Sequence, residues 1–402
     1  MKYFFALGHQ PKLSLAEIES VLSPLTDFVI KNLSYEVCVI EAKKEIDLIL
    51  IQEKLGGTIK VGKIIKETHG NKITFSMLSS VVRKICSNLN SSKVHFGFSL
   101  YNLRTKSLDF STFTRQINFL ALKLKNELKS QGTSSRWVSC KKRILSSVVI
   151  RTNKILGNGF EIVFLVDSNK VFWGETLSCQ DFRAYEIRDF KRPVRDIERG
   201  MIPLRLAKIM LNLADKKKDY SQVILDPFCG LGTILQEAAK LGYSHLIGSD
   251  NDEKAVRGTK ENLKWFASLN SKFQADIFQL DARKISQKIE NFSVDLIVTE
   301  PYLGPLKVRD WRAEVKKISE LYLASFEEFK KILKPNGRIC IIFPAFLDSN
   351  RNLHLLPILK ELERDGWRIQ PFIDGTERGS IVYSRPDQFV HREIFIFTNI
   401  QK

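Results

Sequence analysis

The chain has no uninterrupted apolar stretch near the roughly 18 residues that a membrane-spanning helix requires. Its composition, 44% hydrophobic and 27% charged, therefore reads as that of a soluble globular protein. A secretion signal is also missing. The apolar start of MKYFFALGHQPKLSLAEIES runs into a polar, helix-like segment rather than a small-residue cleavage site, which predicts a cytoplasmic protein. Cysteine clusters are absent too: Cys38, Cys86, Cys140, Cys179, Cys229 and Cys340 never approach C-x-x-C spacing, which argues against a zinc site and against a disulfide framework. No repeat or low-complexity tract is visible, so the basic residues belong to folded surface. Acidic residues are in the minority. Lys and Arg number 63 against 45 Asp and Glu, a net charge of +18, the footprint of a protein that binds a phosphate backbone. Charge alone leaves open a merely soluble basic protein, and it does not name a reaction.

A length of 402 residues predicts two to three domains, each able to bury its own core. Residues 1–60 read as the strand YFFALG, the helix SLAEIESVL opened by Ser14 with Glu17 three residues on, and the strand YEVCVIEA. Residues 61–180 form a second α+β run. Its helices are ITFSMLSSVVRKICSNL and INFLALKLKNELKSQG, and its strands are KVHFGFSLY, SSVVIRTN, FEIVFLVD and KVFWGETL. Two small sheets are predicted. Within this run, RWVSCKKRILSSVVIRTNK holds Arg136, Lys141, Lys142, Arg143, Arg151 and Lys154, one tryptophan and no acid, a combination suited to RNA phosphate contact with stacking. A basic strand edge that resists sheet-to-sheet aggregation is an equal alternative. Residues 181–203, punctuated by Pro193, Gly200 and Pro203, read as a linker.

From residue 204 to 402 strands alternate with helices, which predicts an α/β domain with a mostly parallel, Rossmann-like sheet covered by helices on both faces. The late strands RIQPFID and EIFIFT are expected to add an antiparallel pair at its edge. Ligands of such a sheet lie at the carboxyl ends of its strands. The first strand ends in DPFCGLGT, where Gly230 and Gly232 permit a sharp turn and close approach of a ligand. The helix opening at Thr233 would favour a ligand carboxylate. A dinucleotide fingerprint is incomplete, because Leu235 occupies the third glycine position. Asp226 and Pro227 instead suit a methyl-donor site, in which an acid meets the donor's ammonium group. Asp250 ends the second strand, placed to accept ribose hydroxyls or simply to cap a helix. Asp281 and Ala282 follow the third, suited to an adenine amino group or to an ordinary cap. Acids at three successive strand ends together predict an adenosine-bearing cofactor. After the fourth strand come Glu300, Pro301 and Tyr302. An exocyclic amine is a weak nucleophile, and here Glu300 would accept its hydrogens, Pro301 would stiffen the turn, and Tyr302 would stack on the base. A plain proline-rich loop is the alternative.

The segments LGHQPKLSLAEIESVL, KVHFGFSLY, SSVVIRTNK, RDFKRPVRDIERGMIPLRLAKIMLNLA and DPFCGLGTILQEAA occur in this order. With them, the whole chain resembles the THUMP-domain tRNA (guanine-N2) methyltransferases, the family that modifies guanosine 10 of tRNA. The resemblance implies an amino-terminal ferredoxin-like domain, a THUMP domain gripping the 3′ end of tRNA, and a Rossmann-like catalytic domain that uses S-adenosylmethionine. It implies tRNA as a partner, with a small activating subunit or a monomer, and places YSRPDQFVHREI in a final hairpin. Glu300, Pro301, Tyr302, Leu303 and Gly304 depart from the family's usual aspartate, two prolines, tyrosine and glycine. Leu204 and Arg205 likewise depart from the expected second proline and lysine. An amino-methyltransferase of another RNA base or of ribosomal RNA, and a catalytically degenerate tRNA-binding protein, are the competing expectations.

Overall fold

The structure is a computed structural model that describes residues 1–402 apart from 71–72, 88, 90–92, 105–108, 197–200, 270, 306–309, 349–351, 373, 386–387 and 400–402. Gly200 of the expected linker, Asn88 of an expected helix, and Pro386 and Asp387 of the expected final hairpin lie outside the described residues. The chain divides into two compact units, Met1–Pro11 with Leu25–Ala184 and Lys12–Pro24 with Tyr185–Lys402.

The first unit carries one eight-stranded sheet. Its strands are β1 (Lys2–Leu7), β2 (Phe28–Leu33), β3 (Val37–Ala42), β4 (Thr58–His69), β5 (Lys93–Asn102), β6 (Ser134–Val138), β7 (Gly159–Val166) and β8 (Lys170–Cys179), in the order β2-β3-β1-β4-β8-β7-β5-β6. Two separate sheets were expected, and β4 explains the difference. It is long enough to pair antiparallel with β1 from Tyr3↔Lys63 to Leu7↔Thr58 and, on its other edge, with β8 from Lys60↔Cys179 to His69↔Lys170. The boundary expected after residue 60 therefore falls inside a strand. Residues Phe28–Leu33 and the helix Leu48–Lys54, capped by Asp47, had not been anticipated.

Two further expectations are corrected. SSVVIRTN is helical over Ser147–Thr152, because the Ser146 side chain accepts from the Val149 amide at 3.3 Å and a local cap outweighs the β-preference of a short branched run. The first helix spans Pro11–Leu22 and does not start at Ser14. Proline suits a first helical turn, where its missing N–H costs nothing. Ser14 and Glu17 are instead buried along its length, and Glu17 accepts from Asn212 Nδ2 at 2.7 Å, which ties this helix into the second unit.

A charged pair lies within the first unit. Lys60 Nζ sits 2.7 Å from Glu161 Oε1 with both side chains 0% exposed. Ser99 Oγ and Thr176 Oγ1 also donate to this carboxylate, at 2.5 and 2.6 Å. Burial alone would lower the Lys60 pKa, but the Glu161 carboxylate and Tyr101 hold it above the ordinary lysine value.

In the second unit the sheet is formed by β9 (Val223–Asp226), β10 (His245–Asp250), β11 (Gln274–Gln279), β12 (Val294–Thr299), β13 (Leu333–Leu347), β14 (Leu353–Leu355), β15 (Trp367–Ile369), β16 (Ile381–Tyr383) and β17 (Val390–Asn399). Its order is β11-β10-β9-β12-β13-β17-β15, with β14 beside β13 and β16 beside β17. Strands β9 to β13 are parallel. β17 runs antiparallel between β13 and β15, as expected of the late strands. Neighbouring residues of one strand feed opposite faces. Leu296 and Val298 join the core under helices Leu204–Ala214 and Thr233–Leu241, whereas Ile297 joins the core under helix Trp311–Ile332. The chain order reverses at β9, which has β10 on one side and β12 on the other, so the crevice for a ligand lies at its carboxyl end.

Removing one partner of a fully buried ion pair leaves the other charge uncompensated, a cost of about 3–5 kcal/mol. Glu161→Ala should lose stability of that order in urea denaturation; a loss comparable with that of an exposed pair would show that water reaches Lys60.

Candidate active site

The turn after β9 is built from residues with unusual backbone needs. Gly230 and Gly232 have φ of +50° and +80°, a region that side chains disfavour, and a Cβ on Gly232 would come within 2.9 Å of Thr259 Cγ2. Polar groups then pin the turn. Gly230 N donates to Asp250 Oδ2 at 2.9 Å, and Thr259 Oγ1 donates to the Gly230 carbonyl at 2.6 Å. From the same helix, Glu253–Ala267, Asn262 Nδ2 donates to the carbonyls of Leu231 and Val194, each at 3.0 Å, while Oδ1 accepts from Val194 N at 2.9 Å. One side chain thus fastens both the glycine turn and the segment expected to be a linker.

That segment is part of the site. A cavity of about 290 Å³ is lined by Val194, Arg195, Asp196, Met201 and Ile202 together with Asp226, Phe228, the glycine turn, Thr233, Asp252, Lys254 and Glu300. The sequence pattern had pointed to the strand ends but not to Val194, Arg195, Asp252 or Lys254. Pro193 and the mixed charges around it signalled a loop on a surface; that the surface was the glycine turn follows from Asn262, which lies 68 residues further along.

Asp226 is the deepest acid of the site. It is 2% exposed, and its Oδ1 accepts from Thr299 Oγ1 at 2.7 Å and from Phe228 N at 3.2 Å. Burial, with smaller contributions from the Asp250 and Glu300 charges and against the two hydrogen bonds, pushes its carboxyl up to about 7. Pro227 is buried beside it, and its carbonyl accepts from Ser249 Oγ at 3.4 Å. Thr233 opens helix Thr233–Leu241 and accepts from Arg192 Nη1 at 2.9 Å. Asp250 links the ends of two strands, accepting from Gly230 N and, at 3.0 Å, from Asp252 N. Asp281 is engaged locally: it caps the short helix Ala282–Gln287 through Arg283 N at 2.9 Å and pairs with Arg283 Nη2 at 2.6 Å, which lowers its pKa. Ala282 is buried next to it.

Of the three residues after β12, Glu300 reaches the cavity wall. Its Oε1 accepts from Arg392 Nε at 2.5 Å, with the two side chains 13% and 12% exposed. Arg392 lies on β17 opposite Pro344, and nothing in motif spacing had pointed to it. Pro301 is buried. Tyr302 is 45% exposed and does not line the cavity. Burial first, and the nearby Glu314 charge second, raise its phenol pKa. Lys317 Nζ stands 5.5 Å from its ring centroid, and Tyr322 donates to its carbonyl at 3.2 Å.

The basic residues of the first unit divide into two kinds. Arg143 is committed internally, donating to Glu36 and to the Leu100 carbonyl and lying 4.4 Å from the Phe110 ring. Arg151 pairs with Asp181 at 3.1 Å and donates to the Cys179 carbonyl at 3.0 Å. Arg136, Lys141, Lys142 and Lys154 are exposed, and Lys154 adopts a left-handed φ of 52° before the short helix Ile155–Asn158.

A switch-point crevice, a glycine turn and acids at successive strand ends give the second unit the Rossmann-like fold of class I methyltransferases. Comparison agrees: residues 192–355 match the family UPF0020, described as RMKL-like, methyltransferase domain. The chain is 33% identical over 165 residues, 40% of its length and 44% of the relative's, to the tRNA (guanine(10)-N2)-dimethyltransferase of Methanothermobacter thermautotrophicus. It is 32% identical over 149 residues to the U6 snRNA (guanine-N(2))-methyltransferase THUMPD2 of Homo sapiens, 37% of this chain and 26% of that one. The chain thus spans less than half the length of these curated relatives. The crystal structure of TrmN from Thermus thermophilus superposes with a TM-score of 0.56 at 16% identity, covering 100% of both chains, which supports the fold. The likeness to guanine-N2 methyltransferases read from the sequence is borne out.

An acid raised from 3.8 to about 7 favours the folded state fully below the unfolded value and loses that contribution as pH rises through 7. The loss amounts to at most about 4 kcal/mol. Asp226→Asn should therefore flatten the decline of stability between about pH 4 and 7, as read from urea midpoints across that range; an unaltered pH profile would show that Asp226 is ionised at neutral pH.

Proposed function

We propose that the chain transfers a methyl group from S-adenosylmethionine to the exocyclic N2 amine of guanosine in tRNA, at the position 10 named in the archaeal relative. The observation that carries this reading is Glu300 on the wall of the same cavity that Asp226 and the glycine turn line. The donor fits these residues by their chemistry. Asp226 and Asp252 on the wall suit an ammonium group and ribose hydroxyls, Asp250 stands off the wall and holds the turn open through Gly230 N, and Phe228, Met201 and Ile202 offer an apolar surface. When bound, S-adenosylmethionine supplies a methyl group on a cationic sulfur.

The protein's part is placement. Guanine's amine is a weak nucleophile because its lone pair is drawn into the ring. Glu300, tethered through Oε1 by Arg392, has its Oε2 without a hydrogen-bond partner among the described residues, so that oxygen is available to an amine hydrogen. Charge placed before the base arrives needs no rearrangement during reaction. Pro301 fixes the turn, and Tyr302, exposed and off the cavity wall, would stack on a base that extends beyond the cavity. Alignment and exclusion of water supply the remaining acceleration.

The first unit is proposed to comprise the ferredoxin-like and THUMP parts and to grip tRNA, with Arg136, Lys141, Lys142 and Lys154 as its free phosphate contacts and Arg143 and Arg151 shaping the surface. An activating subunit belongs to the same proposal. So does a cytoplasmic site of action: among the described residues no helix is long and apolar enough to cross a membrane, and six unpaired cysteines suit a reducing compartment. The human relative's name favours a second reading, the same chemistry on U6 snRNA. Mass spectrometry of nucleosides after incubation with tRNA and with U6 transcripts separates the two, and no N2-methylguanosine on either RNA would refute both.

Glu300→Gln should lower kcat by about 10²-fold or more, as loss of a positioned proton acceptor does. Arg392→Met should lower kcat by about tenfold through a misplaced Glu300 while leaving the KM for the donor within about twofold; equal loss in both parameters would point to general disruption. Replacing Lys141 and Lys142 by Ala should weaken tRNA binding about equally for all sequences and reduce the salt slope by about 1 per residue. A salt slope that does not change would remove them from the interface.

A further inference from the structure

The second unit holds another cavity, of about 490 Å³, that shares no residue with the one described above. We propose that it binds a small organic oxyanion, a carboxylate or phosphate ester on an apolar body, with Arg338 as the countercharge. Helix Pro11–Leu22 and the turn after it supply Ala16, Glu19, Ser20 and Ser23, and the sheet supplies Arg338, Gln370, Phe372 and Ile396. Arg338 sits on β13 between Leu296 of β12 and Thr398 of β17. Leu296 in turn pairs with Ile224, two residues before Asp226, so the arginine lies toward the amino ends of the parallel strands, away from the glycine turn.

Arg338 brings a buried cation with unused donors to this cavity. Arg338 is 7% exposed, and its Nε and Nη1 have no hydrogen-bond partner among the described residues. A guanidinium stays protonated throughout the accessible pH range and is strongly disfavoured in a buried setting without acceptors. Glu19 lines the same cavity but forms no ion pair with Arg338 among the described residues; burial raises its pKa, against the opposing charge of Lys216. Asp215 contributes a charge near Arg338, yet its carboxylate already accepts from Tyr243 OH at 2.8 Å and from the amides of Lys217 and Lys218. Lys216 adds a second cation to the wall. Leu213, Pro371, Phe372 and Ile396 complete it with apolar surface. Cation and greasy wall together ask for a ligand with an acidic end and a hydrophobic body, and the volume lies within the range of small-molecule sites.

Isothermal titration of the full chain with phenyl phosphate, benzoate and inorganic phosphate tests this. One-site binding of phenyl phosphate or benzoate is expected, weaker for inorganic phosphate, which lacks the body; the tighter of the two organic probes identifies the acidic end. Arg338→Met should weaken binding by about tenfold or more, the scale of a lost hydrogen bond to a charged group. Ser23→Trp keeps the arginine and adds bulk to the cavity wall, and it should weaken binding comparably, so the test survives if Arg338→Met does not fold. No saturable binding of any probe, inorganic phosphate binding as tightly as phenyl phosphate, or full binding in Ser23→Trp or in a folded Arg338→Met would overturn the proposal.

Discussion

The hydrogen bond from Gly230 N to Asp250 Oδ2 is the constraint on which the rest of the second unit's candidate site depends. It joins the ends of β9 and β10 through a turn whose two left-handed positions favour glycine. With the turn fixed, Thr259 and Asn262 have carbonyls at the right place to hold, and Asn262 can reach past the turn to Val194. The cavity is therefore closed on one side by a segment that belongs to no strand of the sheet. A ligand seated there meets backbone and acids already in position, so little of its binding energy is needed to order the protein.

Much of this arrangement could be read from the amino-acid order. The strand-helix alternation after residue 204, the acids at strand ends and the glycine turn are local signals, and local signals survive in sequence because each strand of a parallel sheet ends on the same side. Glu300 was legible for that reason. Arg392 was not, since the pairing of β17 with β13 brings together residues 92 positions apart and only tertiary structure sets that register. The same holds for β4, whose second edge turned two expected sheets into one. SSVVIRTN misled because branched residues favour strands only when a neighbour is available, and a capping serine decided the matter locally. Asp281 shows how two readings of one acid can both be sound chemistry: the structure uses it as a cap and as the partner of Arg283.

Charge is handled differently in the two units. In the first, Lys60 and Glu161 neutralise each other in a fully buried network. In the second, Asp226 is buried with no cation beside it among the described residues, and burial pushes its carboxyl up to about 7, while Arg338, which cannot release a proton, is left facing a cavity. An acid and a base buried in one sheet thus meet the same desolvation cost by different means. From Lys12 onward, helix Pro11–Leu22 belongs with the second unit although strands before and after it belong with the first. The second unit is therefore not a contiguous piece of chain, and cutting the protein near residue 185 would remove a wall of the Arg338 cavity.

The claim most exposed to contradiction is that the pinned turn is where the donor binds. Calorimetric titration of S-adenosylhomocysteine into the intact chain and into Asp250→Ala addresses it directly. The account predicts one site in the intact protein and a loss of about tenfold or more in affinity on removing Asp250, the scale of lost charge-assisted hydrogen bonds. Undiminished affinity in the variant, with the fold retained, would place the donor elsewhere.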